Sequence, residues 1–164
     1  KFKKAFTLIE LLVVVAIVGF LSTVTLGYLS SARKKSDDTA VKTNLATIRT
    51  AADIFYLNNN SYVPPGQIGV TLTSPCPSYS FANPPFASTI FQADKSINSA
   101  LLLALSKGNT SSACYNSSSV YSVAIQLKLD STKVWCIDSK PSAKLVTIVS
   151  SASEAINSST FLCN

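Results

Sequence analysis

Histidine is absent from the 164 residues, and glycine is scarce, at five. Without histidine the chain lacks both the commonest general base and the commonest nitrogen ligand for a metal. The four cysteines, Cys76, Cys114, Cys136 and Cys163, form no C-x-x-C pair, so ligand type and spacing argue against a zinc site. There is no nucleophile elbow, no phosphate-binding loop and no paired carboxylates on a common scaffold, which leaves no convergent groups for catalysis. A non-enzyme without metal or cofactor follows. Proline is missing from Phe6 to Asn58, and glycine occurs there only at Gly19 and Gly27; nothing in that stretch forces a helix to stop. Charge is missing too: between Ala5 and Ala32 the one charged side chain is Glu10.

What is present at that place is a membrane-length apolar run, Phe6-Thr7-Leu8-Ile9-Glu10-Leu11-Leu12-Val13-Val14-Val15-Ala16-Ile17-Val18-Gly19 and onward, behind the basic stretch Lys1-Phe2-Lys3-Lys4. The run outlasts the apolar region of a secretory signal peptide and has no A-x-A site at its end. A plain signal anchor would explain its length and the lysines. It would not explain a carboxylate inside the bilayer, which costs ~2.5–3.5 kcal/mol on insertion scales and normally has a partner. Setting Lys1, Lys3 and Lys4 aside lowers the formal charge from +6 to +3, so charge alone makes no case for a nucleic-acid partner.

The segment Lys3-Lys4-Ala5-Phe6-Thr7-Leu8-Ile9-Glu10-Leu11-Leu12-Val13-Val14-Val15-Ala16-Ile17 resembles the class III signal sequence of type IV pilins and pseudopilins. The resemblance implies that a membrane peptidase cuts between Ala5 and Phe6 and that Phe6 is then N-methylated. Ala5 stands where the family usually has glycine, and it is small enough to serve. Glu10 matches the family's acidic residue. Its implied partner is the amino group that cleavage creates on Phe6, of the same chain or of the adjacent subunit; the alternative is a Glu10 that is protonated or snorkels to the interface. Gly19 and Gly27 bracket residues of weak helix propensity. The resemblance implies local unwinding there in a filament, whereas close helix–helix approach would explain the small residues equally well.

The resemblance implies an α+β pilin fold, with the apolar half of a long N-terminal helix protruding and its amphipathic half packed on a small antiparallel sheet. Residues 1–5 form the end of a basic leader, and 6–32 a membrane or filament-core helix. Arg33-Lys34-Lys35-Ser36-Asp37-Asp38 then reads as a charged collar at the membrane surface. Over 33–58 the apolar residues narrow to Val41, Leu45, Ile48, Ala52 and Phe55, a stripe that suits packing on the chain's own globular part. Residues 59–119 hold most of the prolines and read as an irregular connection with one helix at Ile97–Leu105. Strand signals follow over 120–149, at Val120–Leu129, Val134–Asp138 and Lys144–Val149, with short turns that imply an antiparallel meander. In the first of these, Val123, Ile125, Leu127 and Leu129 fall on one face. Residues 150–164 are a polar tail, loose unless tethered.

Four cysteines in an exported domain favour two disulfides. Of three connectivities, Cys76–Cys114 with Cys136–Cys163 closes two loops without threading one through the other; the second loop resembles the disulfide-bounded C-terminal region of many type IV pilins. Asp130 and Asp138 sit at strand ends, where turn chemistry accounts for them as well as a calcium ion would. Sequons begin at Asn59, Asn109, Asn116 and Asn157, which offers surface glycosylation. The functional expectation is a subunit polymerising with itself into a type IV pilus. It would wait in the inner membrane by one helix, be handled by prepilin peptidase and the assembly machinery, and be displayed at the cell surface for adhesion, twitching motility or DNA uptake, with DNA or surface ligands met by the filament. The alternatives are a pseudopilin of a type II secretion system and a membrane-anchored binding module that does not polymerise.

Overall fold

The computed structural model describes residues 6–68, 70–76, 88–140 and 143–164. Helix α1 runs unbroken from Leu8 to Asn59, 52 residues, or about 78 Å at the α-helical rise. Thr7 caps its start, and Asn60, in the left-handed region at φ 51°, ends it. Its N-terminal half is bare: by length and composition it could cross a membrane, and none of its most apolar stretch is buried. Its second half is amphipathic. Val41, Leu45, Ile48 and Ala52 are wholly buried and Phe55 is partly so.

That stripe packs mainly on α3 (Lys95–Lys107), whose inner face is Ile97, Ala100, Leu101 and Ala104. A short helix, α2 (Ile90–Ala93), precedes it and buries Ile90 and Phe91. Beneath the helices lies an antiparallel sheet of five strands in chain order: β1 (Val70–Thr73), β2 (Ser112–Asn116), β3 (Tyr121–Gln126), β4 (Lys133–Asp138) and β5 (Ala143–Thr147). Val123, Ile125 and Leu127 join Tyr121, Cys114 and Ile137 in the core under α1 and α3.

Three expectations need correction. The region 59–119 contributes β1 and β2 as well as α3. β1, Val-Thr-Leu-Thr, alternates over only four residues, and β2, Ser-Ala-Cys-Tyr-Asn, is buried on both faces. Pairing with β3, from Ser112↔Ile125 to Asn116↔Tyr121, holds β2 in place. The second correction concerns the tail, which covers the sheet. Ala152, Ala155, Ile156 and Cys163 pack on Ala113, Ala124, Val134 and Cys136 to make a second core on the face away from α1. Thus Ser122, Ala124 and Gln126, the apparently outward residues of β3, are buried too.

The tail is locally braced. Glu154 accepts hydrogen bonds from the Ser150 hydroxyl and from the N–H groups of Val149, Ser150 and Ser151. The Ser150 hydroxyl foremost, with the three amides, holds the carboxyl down to about 2. A folded-state value below the unfolded one means that this bracing is fully present above pH ~4.5 and is lost as pH falls towards 2. Glu154→Gln should therefore be less stable than the parent chain at pH 6, with the difference much reduced at pH 2. Urea melts at the two pH values measure it. A constant difference would rule out the carboxylate as the cause.

The collar is also corrected in part. Asp38 is buried, and its two oxygens accept from the N–H groups of Lys128 (2.7 Å) and Leu129 (3.2 Å). Asp37 binds the ammonium groups of Lys128 at 3.0 Å and Lys107 at 3.4 Å, and Lys128 above all lowers its carboxyl below the ordinary range. These aspartates fasten α1 to the globular part, whereas Arg33, Lys34 and Lys35 remain exposed. Asn116 is buried as well, its side-chain amide donating to the Tyr62 carbonyl; a sugar cannot be attached there without unfolding.

Candidate assembly site

The apolar half of α1 begins with a closed polar unit. The Thr7 N–H and hydroxyl donate to Glu10 Oε2 at 2.9 and 2.8 Å, and the Thr7 hydroxyl in turn accepts from the Glu10 N–H. This is a capping box, in which a helix start satisfies its own orphan donors. Both bonds from Thr7 go to Oε2. Oε1 has no hydrogen-bond partner among the described residues and is open to a donor from outside the chain. Thr7 was not singled out as a site residue, although the Thr-x-x-Glu spacing signals it.

Phe6 stands exposed at the tip beside this unit, and Ala5 lies outside the described residues. Beyond Glu10, the side chains of Leu11, Leu12, Val13, Val14, Val15, Ile17 and Val18 are about half or more exposed. Fully covering such a side chain is worth ~1.5–3 kcal/mol, so the segment carries a large unmet demand for an apolar environment. Its other polar groups add little to the cost. The Ser22 hydroxyl returns to the Val18 carbonyl at 2.7 Å and that of Thr23 to the Phe20 carbonyl at 2.8 Å. Glu10 is the exception, as a formal charge whose free oxygen still needs a donor. Helix α1 continues through both Gly19 and Gly27 in this single chain, and a Cβ at Gly19 would meet nothing within 4 Å.

The other cysteine and carboxylate candidates lie in the globular part, far along α1 from Glu10. Disulfide Cys76–Cys114 ties the chain after β1 to β2, and Cys136–Cys163 ties β4 to the C-terminal segment. Asp138 is buried, its oxygens taken by the N–H groups of Lys140 and Cys163, both at 2.8 Å. Asp130 accepts from the N–H and hydroxyl of Thr132. Both are turn and tether groups. Among the described residues no cluster of acids, cysteines or histidines is arranged to hold a metal.

A long N-terminal helix, bare and apolar in its first half and packed on an antiparallel sheet in its second, is the α+β pilin fold. Comparison with known proteins adds two findings. Residues 1–26 match the family model described as the prokaryotic N-terminal methylation motif. The chain is also similar to the type IV wide pilus major component PilA4 of Thermus thermophilus, at 42% identity over 59 residues, 36% of this chain and 45% of that protein. The match thus spans less than half of the relative's length. Together the two findings support the type IV pilin family for this chain. No solved structure matches.

Proposed function

We propose that this protein is a structural subunit that polymerises with copies of itself into a type IV pilus on the cell surface. One observation carries the reading: a bare apolar half-helix headed by a single carboxylate with one oxygen unpartnered. Lipid satisfies the apolar side chains before assembly, with the subunit held in the inner membrane by α1. Like helices satisfy them afterwards. Prepilin peptidase cuts between Ala5 and Phe6, Phe6 is N-methylated, and the assembly machinery moves the subunit from membrane to filament. The amino group of Phe6, from the same or an adjacent copy, then pairs with Glu10 at its open Oε1. Gly19 and Gly27 would let α1 adjust locally as copies pack.

The relative's printed name, a major component of a type IV pilus, favours a pilus over a secretion pseudopilus. Adhesion, twitching motility or DNA uptake then belong to the polymer. Two disulfides and a polar Ser/Thr-rich surface suit long exposure outside the cell. The test is electron microscopy of material sheared from cells making the protein, with mass spectrometry of the subunit's N-terminus. Filaments whose subunits begin with methylated Phe6 are expected. A chain found only as single membrane-bound molecules overturns the reading.

A further inference from the structure

Among the eight side-chain carboxylates, Asp53 alone has neither a hydrogen bond nor an ion pair with a described residue. Glu10 is held by Thr7, Asp37 by two lysines, Asp38 by two backbone N–H groups and Asp94 by the Ile97 N–H. Asp130, Asp138 and Glu154 are taken up in turns and tethers. Asp53 lies exposed on the amphipathic half of α1. The cations divide in the same way. Lys107 and Lys128 serve Asp37, Lys42 lies over the Trp135 ring at 4.7 Å, and Arg49 donates to the Lys140 carbonyl. Lys133 donates to Thr147, and Lys144 to the Cys163 carbonyl. Arg33, Lys34 and Lys35 are consecutive and exposed, and none of them forms an ion pair among the described residues. Lys95, on α3, and Lys140, which follows β4 and whose carbonyl meets Arg49 of α1, also form no ion pair among the described residues.

We infer that Asp53 of one copy docks on the Arg33–Lys35 collar of another, a second contact between subunits distinct from that at Glu10. The inference rests on the polymer proposed above, in which α1 of one copy lies along α1 of the next. Successive residues on a helix are turned by about 100°, so the three cations of the collar point three ways and meet an acid from any side.

The axial distances separate the two contacts. At about 1.5 Å per residue, Asp53 stands about 28 Å beyond Lys34, whereas Glu10 stands about 6 Å beyond Phe6. In a head-to-tail polymer all copies point the same way. Where the Phe6 amine comes from an adjacent copy, that neighbour cannot be displaced by both amounts, and the Asp53 contact belongs to a second, more distant neighbour. It would set the stacking of the globular parts, while Glu10 sets the register of the helix tips.

Treating intact filaments with a water-soluble carbodiimide, followed by peptide mass spectrometry, tests this directly. An amide between Asp53 and Lys34 or Lys35 is expected. At about 28 Å apart in one rigid helix, the two cannot be joined within a copy, so the product must link two. It should be missing from detergent-dispersed subunits and from Asp53→Asn filaments. Asp53→Lys, which sets a further cation against the collar, should cut filament yield at least about tenfold, since like charges brought together cost more than the ~1.4 kcal/mol that tenfold represents. Filaments that lack the amide and form equally well with lysine at position 53 overturn the inference and leave the pilus reading intact. If the parent chain makes no filaments, both fall.

Discussion

Glu10→Ala should leave the subunit in the membrane and remove filaments. A carboxylate and an amine about 4 Å apart attract by roughly 4 kcal/mol at an effective dielectric near 20, equivalent to about a thousandfold in an association constant. The loss recurs at every subunit added, so yield by electron microscopy should fall at least about a hundredfold while the membrane-bound pool persists. Glu10→Gln separates charge from capping. It keeps an oxygen to accept from Thr7, as Oε2 does in the capping box, but brings no charge to the amine. If charge drives docking, glutamine fails as alanine does. If only the helix start matters, glutamine assembles normally and the pairing assigned to Glu10 is wrong.

The second large effect belongs to Cys136 and Cys163. Cys136 is fully buried on β4, and the disulfide spans a sequence separation of 27. Loop-closure entropy alone makes such a bond worth about 3–4 kcal/mol, a large part of the ~5–15 kcal/mol available to a domain. Cys76–Cys114 closes a similar loop of separation 38, so on entropy the two bonds should differ little. They differ in what they hold. Cys76–Cys114 secures an edge strand, whereas Cys136–Cys163 keeps the C-terminal segment over Ala113, Ala124 and Val134. Replacing Cys136 and Cys163 with alanine should lower Tm by about 10 °C or more, and by more than the same change at Cys76 and Cys114. Thermal unfolding of both variants in detergent provides the comparison. Equal losses would mean that the tail adds nothing beyond its tether.

Much of the architecture was legible because it follows local periodicity. The stripe Val41, Leu45, Ile48 and Ala52 repeats at helical spacing and is the buried face of α1. Val123, Ile125 and Leu127 alternate and lie in the same core. Where periodicity fails, so did the reading. Ala113 and Cys114, with a buried surface on either side, leave no alternation to detect. Ala152 and Ala155 sit in a Ser-rich stretch that looks like solvent-exposed chain until the sheet is placed beneath it. Asp38 sits in a charged run, and its partners, the N–H groups of Lys128 and Leu129, are backbone groups about 90 residues further along. Backbone donors have no sequence signature.

By itself the sequence determined that the first half of α1 must find an apolar environment, that one acid must be answered within it, and that the next half has a face to bury. Solvent preference and helical period decide these matters residue by residue. Tertiary structure alone decided that the tail seals the far face of the sheet, that Asp37 and Asp38 are consumed inside the subunit, and that Asp53 is left over. Which charge remains unpaired depends on which distant groups folding brings within about 3–4 Å, and no local pattern encodes that distance.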